Sequence, residues 1–508
     1  MDSNMKVHAR AIEHGPAGIP FVLEGHSPLC IDVDIVSSEP IPADAELILT
    51  AHEIFSGQTK VLPGAAPDLT DAAGDGLRLR IPPEAFKLEA GTWHVLLDVM
   101  CGEESLAGTH AGSTAIYVRR ADESPEYALG CHGLGYSEFA FDREYGVYFA
   151  AYGERLPTSI DPFSDEDAAA FRRDFAKDDQ LSAETVHHAG LGFLLAAHAF
   201  HATGDAERVR YCHEALARLV RIVAELMMAE DGRLHTLTGV DQKRAHGAHD
   251  RAGDALALKF LSQVYFYFRY GPPEEKDYSR YALGAAKEIF RYQLAQPLGP
   301  GCAGNCRAND GRVLTGLAWY CLAHKAEHGQ FFSPDAENAL ISFASQSIRE
   351  LLASDGWYDE GCLEENGRHA WRGNIELALG LIPVHRMIVQ LSERGHEEAE
   401  SAESHVREGI AAALRFVTHP TASLAHVTPI LPSSLPSWSR GMVYEVCAEY
   451  LDRFDDDASV RQFMNNLAAD VGVQKTGELA GLSELGALIH LSDECHREES
   501  FGIPPWRQ

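Results

Sequence analysis

The chain is short of positive charge. Its 508 residues carry 43 Lys plus Arg against 75 Asp plus Glu, a formal net charge of −32. That deficit excludes a protein built to track nucleic-acid phosphates or to lie on an anionic membrane, because both need clustered cations. A small anionic ligand stays open, since a local basic pocket can sit inside an acidic shell. Long hydrophobic runs are also missing. No stretch of about 18 apolar residues marks a membrane span, and the opening MDSNMKVHARAIEHG has no apolar core of the signal-peptide kind. The 10 cysteines show no spacing of a disulfide framework, so a reduced, cytoplasmic setting is expected. What is left, 45% hydrophobic and 23% charged, is an ordinary globular composition long enough for two or three domains with a sizeable core.

Glycine is spaced. Gly190, Gly253, Gly311, Gly373, Gly441 and Gly481 each open an apolar, helix-like stretch, at intervals near sixty residues with a shorter last step, which fits one large helical hairpin per repeat. GDALALKFLSQVYFYF from Gly253 is typical of these stretches: apolar on most sides, as for a helix buried in a double layer. A second set, at 163–176, 205–229, 276–295, 334–353, 398–417 and 457–470, carries an apolar stripe and a wet face. Six amphipathic outer helices around six apolar inner ones suggest a closed ring. Glycine costs roughly 1 kcal/mol inside a helix, so its recurrence needs a reason: crowding where inner helices converge, or close approach by a ligand.

Residues 1–120 read differently. Short β-type runs at 30–36, 45–55, 77–81, 92–100 and 113–118 are separated by Gly, Pro and Asp, which suggests an Ig-like antiparallel sandwich. Residues 121–162 are rich in Tyr, Phe and Gly and form an expected linker or lid. The expected fold class is therefore multidomain α and β: an N-terminal antiparallel β-sandwich (1–120), a linker or lid (121–162), and an (α/α)6 helical toroid (163–508) as the catalytic domain.

Loop length selects a face. Links from outer to inner helices are long, at about 230–249, 296–309, 354–371 and 418–438, and they share a face with the inner-helix N-termini, whose free N–H groups suit anions. Arg251, Arg307, Arg372 and Arg440 stand at those helix starts. Their planar forks match carboxylates, although a single arginine there can equally bridge loop carbonyls and neighbouring acids. Trp357, Tyr358, Trp371 and Trp438 supply flat faces suited to sugar rings. Two long loops also resemble each other, DGRLH at 231–235 and DGWYDE at 355–360.

Trp438-Ser439-Arg440-Gly441, and in compact form Trp371-Arg372-Gly373, resemble a W-x-R-G motif of unsaturated glucuronyl hydrolases. The run DGWYDEG at 355–361, followed by Trp371, resembles a loop of heparinase-type toroid lyases. The chain thus resembles the (α/α)6-toroid carbohydrate-active enzymes, some of which carry an N-terminal β-sandwich. The resemblance implies an enzyme for an acidic, uronate-containing oligosaccharide. In a β-eliminating lyase, Arg372, Arg440, Arg251 or Asn374 polarises the carboxylate, His249 or His188 is the base, and Tyr358 donates to the leaving oxygen. Arg307, Trp357, Trp371 and Trp438 complete the expected binding set. A glycoside hydrolase instead needs two carboxyls, drawn from Asp250, Asp254, Asp310, Asp359, Glu360 and Glu376. Two further alternatives are a zinc-dependent toroid of the lanthionine-cyclase kind, on Cys131-His132-Gly133 with Cys302 and Cys306, and a non-catalytic saccharide-binding protein. The lyase and the hydrolase call for no cofactor and no metal. The expected partner is a small-molecule or oligosaccharide substrate, with no nucleic acid and no membrane; a homo-oligomer is left open.

Overall fold

Apolar residues on every side of one helix and along one stripe of the next dictate two layers, and a computed structural model of the chain shows them. It describes residues 5–12, 21–23, 29–37, 40–53, 56–62, 77–82, 85, 87–102, 104–107, 112–120, 127, 130–131, 133–134, 137, 164–166, 180–238, 250–270, 276–304, 307–353, 358, 370–392, 397–418, 443, 446–447, 450–451, 454 and 457–463. The inner helices are α1 (Ala183–Thr203), α3 (Arg251–Tyr270), α5 (Ala308–His328) and α7 (Ala370–Ser392). Their outer partners are α2 (Ala206–Arg221, continued by a π-helical turn to Met227), α4 (Lys276–Ala295), α6 (Pro334–Ala353) and α8 (Glu397–Thr418). In α4 the buried set Tyr278, Ala282, Leu283, Ala286, Ile289, Phe290 and Gln293 recurs every three or four residues, so one stripe packs inward. In α3 burial is almost continuous from Ala252 to Phe268. The link between α1 and α2 is two residues long: Gly204 takes φ 76° as the α1 C-cap, and Asp205 accepts the Arg208 N–H as the α2 N-cap.

The inner helices run parallel, one beside the next. A Cβ on Gly190 would strike the Phe260 ring, and one on Gly253 would lie 3.7 Å from Ala183 Cβ, so α1 and α3 advance in step. Gly316 abuts the Ala255 carbonyl, and about three turns on Tyr265 donates to Glu327 at 3.1 Å, which orients α3 and α5 alike. Gly311 abuts the Glu376 backbone, and Lys325 reaches Gln390, which does the same for α5 and α7. Residues Gly373–Ser392 are long and apolar enough to cross a membrane, but 72% of that stretch's most apolar window is buried inside the protein, the setting of an inner core helix. Gly441, Gly481 and the stretch after Gly481 lie outside the described residues.

The segment expected as a linker or lid is described at six residues. Its described residues Tyr127, Gly130, Cys131, Gly133, Leu134 and Ser137 are helical and pack on α1. A Cβ on Gly133 would come within 2.8 Å of the Gly192 carbonyl, and Ser137 Oγ donates to the Ala189 carbonyl at 2.7 Å. The glycines that hide a helical pattern are the ones that let this segment reach the α1 backbone.

The β region has two sheets. One has the order β1 (Met5–Ile12), β3 (Leu29–Ser37), β6 (Leu77–Ile81). The other runs β2 (Phe21–Leu23), β9 (Gly112–Arg119), β7 (Gly91–Cys101), β4 (Ala45–Glu53), β5 (Thr59–Leu62), with the short β8 (Glu104–Ser105) on β7. All pairs are antiparallel except β2–β9. Alternation along β4 buries Leu47, Leu49, Ala51 and Glu53. Residues of both sheets, among them Val7, Ile31, Val33, Leu49, Trp93 and Val95, form one apolar cluster, separate from that of the helices.

Glycine substitutions separate crowding from propensity. Gly311→Ala drives a methyl into the Glu376 backbone and is expected to destabilise the protein by about 1–3 kcal/mol. Gly284→Ala, on an exposed α4 position with nothing within 4 Å, is expected to stabilise it by about 0.5–1 kcal/mol. Urea unfolding of the two variants checks both signs.

Candidate functional site

The long loops are tied to the inner-helix starts by a repeated device. In the loop DGRLH the Leu234 N–H donates to Asp254 Oδ2 at 3.3 Å. In DGWYDE the residue at the same place, Tyr358, donates its N–H to Asn374 Oδ1 at 3.0 Å. Asp254 and Asn374 each follow the repeated glycine, Gly253 or Gly373. The likeness of the two loops thus extends to the bond that holds them. Gly232 in the first loop takes φ 88°, and a Cβ there would strike the Glu288 carbonyl oxygen, a conformation and a closeness that suit glycine alone.

The arginines at the helix starts serve the same end. Arg251 donates through Nε to Gln293 Oε1 (2.8 Å), through Nη1 to the Pro297 and Cys302 carbonyls (both 2.9 Å), and through Nη2 to the Gln293 carbonyl (3.0 Å). Arg307 donates to Glu350 at 2.8 Å and lies 3.6 Å from Asp310. Gln293 and Glu350 stand near the ends of α4 and α6, the outer partners of the helices these arginines begin. Each fork therefore staples the inner helix of a hairpin to its outer helix. The expectation that Arg251 and Arg307 offer their forks to a ligand is corrected: loop carbonyls and carboxylates occupy them.

Asp310 and Tyr358, expected as catalytic groups, are buried together in that framework. Asp310 accepts N–H bonds from Gly301 at 2.7 Å and Ala303 at 3.3 Å, with the Cys302 thiol at 3.5 Å and the Tyr358 hydroxyl at 3.4 Å. Burial raises its carboxyl above the usual range against those donors, and burial with the Asp310 charge pushes the Cys302 thiol up to about 11. Tyr358 donates to Ser347 at 2.8 Å, and burial raises its phenol further, so it anchors the loop. Asp250 Oδ1 accepts the Gly253 N–H at 3.0 Å as an α3 cap. Asn374 is fully buried and also donates to the Ala413 carbonyl at 3.2 Å. His249, Trp357, Asp359, Trp438 and Arg440 lie outside the described residues, as do the side chains of Trp371 and Arg372 at the start of α7. Cys131 is buried against α1, and His132 and Cys306 are likewise outside the described residues.

A second set of charges comes together among the inner helices themselves. Arg312 of α5 reaches Glu376 of α7 through Nε at 2.9 Å and Glu184 of α1 through Nη1 at 3.1 Å. His188, one turn beyond Glu184, lies with Nε2 3.7 Å from its Oε1. His187 and Lys259 of α3 stand beside them and act electrostatically on one another. Arg312 (8% exposed), Glu376 (3%), His187 (4%) and Lys259 (8%) are buried, whereas the Glu184 and His188 side chains are about a third exposed (38% and 36%). The cluster therefore has a closed side and an open edge. Burial works against the Arg312 cation, but Glu376 and Glu184 outweigh it and hold the guanidinium charged. Burial, then Lys259, His188 and Arg312, keep His187 neutral far below the ordinary histidine range. Of the expected site residues that are described, His188 and Glu376 belong to this set. Glu184, His187, Lys259 and Arg312 were not singled out, and Glu376 was one carboxyl among six. The available signal was a charged residue inside a helix otherwise apolar on all sides, because burying charge is costly without a use or a partner.

No protein-family model matches the chain. No curated protein matches it. Among solved structures it is similar to the native conformation of Escherichia coli alpha-2-macroglobulin, at 12% identity and TM-score 0.31, over 97% of this chain and 26% of that chain. It is also similar to AaCel9A in complex with cellobiose-like isofagomine (10% identity, TM-score 0.35, 94% of this chain and 82% of that one). A third is a beta-1,2-glucanase from Parabacteroides distasonis (8% identity, TM-score 0.34, 98% and 73%). The chain spans 26% and 37% of the native and elastase-activated alpha-2-macroglobulin chains. At these identities and TM-scores none of them assigns a family or an activity.

Two measurements test the electrostatics. Arg312→Met leaves two carboxylates facing each other without their cation and is expected to cost about 3–5 kcal/mol in urea unfolding, with part of the loss recovered by adding Glu376→Gln. His187 is held well below its unfolded value of 6.5, and burial lowers His213 to about 4. The unfolded chain therefore binds more protons below about pH 6.5. Between about pH 6.5 and pH 4 stability is expected to fall by about 1.4 kcal/mol per pH unit for each such histidine, His94, lowered to about 3, among them, and His187→Gln should remove its own contribution.

Proposed function

We propose that this chain is a carbohydrate-active enzyme and that the cluster of Glu184, His188, Arg312 and Glu376 is its reaction centre, acting by β-elimination on an acidic oligosaccharide. The observation that carries the reading is the His188–Glu184 pair at the open edge of an otherwise buried charge cluster. Histidine is the side chain best suited to moving a proton near neutral pH, and a carboxylate beside it stabilises the imidazolium that forms. The W-x-R-G and DGWYDEG motifs, with their resemblance to toroid saccharide enzymes, support a saccharide as the substrate.

In the proposed reaction His188 takes the proton from C5 of a uronate. The electron pair of that C–H bond forms the C4–C5 double bond, the C4–O bond breaks, and the leaving oxygen receives the proton back from the imidazolium. No oxidant or reductant is required. Glu184 steadies the charged imidazole, and Arg312, itself held by Glu376, fixes Glu184. This arrangement favours elimination over hydrolysis because both carboxylates are engaged by one guanidinium, whereas a hydrolase needs two carboxyls placed across the scissile bond. Trp357, Trp371 and Trp438 remain the proposed stacking residues for the sugar.

A screen of acidic and neutral oligosaccharides, read by ultraviolet absorbance and by reducing ends together, tests the reading. Elimination gives both signals on uronate-containing substrates. New reducing ends without absorbance would move the assignment to a hydrolase with Glu184 and Glu376 as its carboxyls. His188→Ala is expected to lower kcat by roughly 10²–10⁴ and Glu184→Gln by less.

A further inference from the structure

Among the described residues, the charge of Lys259 is left unanswered in this cluster. It sits in the third turn of α3, in the run ALALKFLSQ, between residues that pack into the helical core. It is 8% exposed. Among the described residues no carboxylate pairs with it, while Glu184 and Glu376, the acids of the cluster, are both drawn to Arg312. Beside it His187 is 4% exposed, and its Nδ1 has no hydrogen-bond partner. A buried ammonium without a counter-charge and a buried ring nitrogen without a partner are each costly. Two such groups on neighbouring helices, next to a cluster with an open edge, are what remains when a ligand's own atoms complete the site.

We propose that Lys259 and His187 seat a carboxylate carried by the substrate, so that the ligand is a monoanionic acidic saccharide. The ammonium supplies the counter-charge and the imidazole a hydrogen bond from its Nδ1. One cation fits one negative charge. A phosphate dianion would face Glu184 and Glu376 with only a single ammonium to balance it, which disfavours the phosphorylated sugar. The assignment rests on the reading of this cluster as a reaction centre and names what that centre holds. It also moves the anion site away from Arg251 and Arg307, which staple hairpins, to Lys259, deeper along α3.

Calorimetric titration of the full chain with D-glucuronate, D-glucose and inorganic phosphate tests this. The wild type is expected to bind glucuronate in preference to glucose and phosphate. Lys259→Met should weaken glucuronate binding by roughly 10–100-fold while leaving any glucose binding unchanged, and Lys259→Arg should keep the preference for the acid. Because no described residue pairs with this buried charge, the thermal midpoint of Lys259→Met should match or exceed that of the wild type. Unchanged glucuronate binding in Lys259→Met, equal wild-type affinity for glucose, tighter binding of phosphate, or a midpoint well below wild type would each overturn the assignment. His188→Ala keeps the two readings apart. If it loses turnover but binds glucuronate as wild type does, both stand. If it stays active while Lys259→Met loses binding, the carboxylate seat survives and His188 is not the base.

Discussion

Backbone-to-backbone approach between inner helices is the constraint on which the rest depends. Gly311 lets α5 lie against the backbone of α7 at Glu376, and Gly316 lets α5 lie against α3 at Ala255. Side chains at those points would hold the helices apart. The residue after Gly311 is Arg312, and the backbone that Gly311 touches is that of Glu376, so the same approach brings guanidinium and carboxylate to 2.9 Å. Gly190 packs on Phe260, which neighbours Lys259, and His187 is one turn before Gly190. The glycine repeat thus places the charged cluster without belonging to it.

Arginine is put to two uses along these helices. At the helix starts its donors satisfy loop carbonyls and outer-helix acceptors, as Arg251 does with Gln293, Pro297 and Cys302. One turn further in, Arg312 meets two carboxylates from two other helices. The first use ties described loop residues to the helices, as Asp254 and Asn374 also do by holding equivalent loop amides. The second concentrates charge where water is scarce, and there each interaction is strong and each unpaired group expensive. A stiff rim around an electrostatically loaded interior is the arrangement expected of a preorganised site.

Much of the fold was legible from periodicity. The outer helices at 276–295 and 334–353 appear where their apolar stripes placed them, and the strands at 77–81 and 92–100 follow their alternation to within a residue or so. The helical state of Gly130, Gly133 and Ser137 was not legible, since the glycines read as irregular chain until α1 lay against them. The likeness of DGRLH and DGWYDE was visible in the letters, but not its cause, which needed Asp254 and Asn374 to be seen accepting the two amides.

By itself the sequence determined the local periods, the glycine repeat and the presence of charge inside apolar helices, because each depends only on residues a few positions apart. Only the tertiary structure decided what those charges do. Glu184, Lys259, Arg312 and Glu376 come from four helices far apart in the chain and meet through packing. Arg251 finds its acceptors 42 to 51 residues away. Whether an arginine is a staple, a bridge or a ligand group depends on which acceptors surround it in space, and that is a property of the packed helices rather than of any one of them.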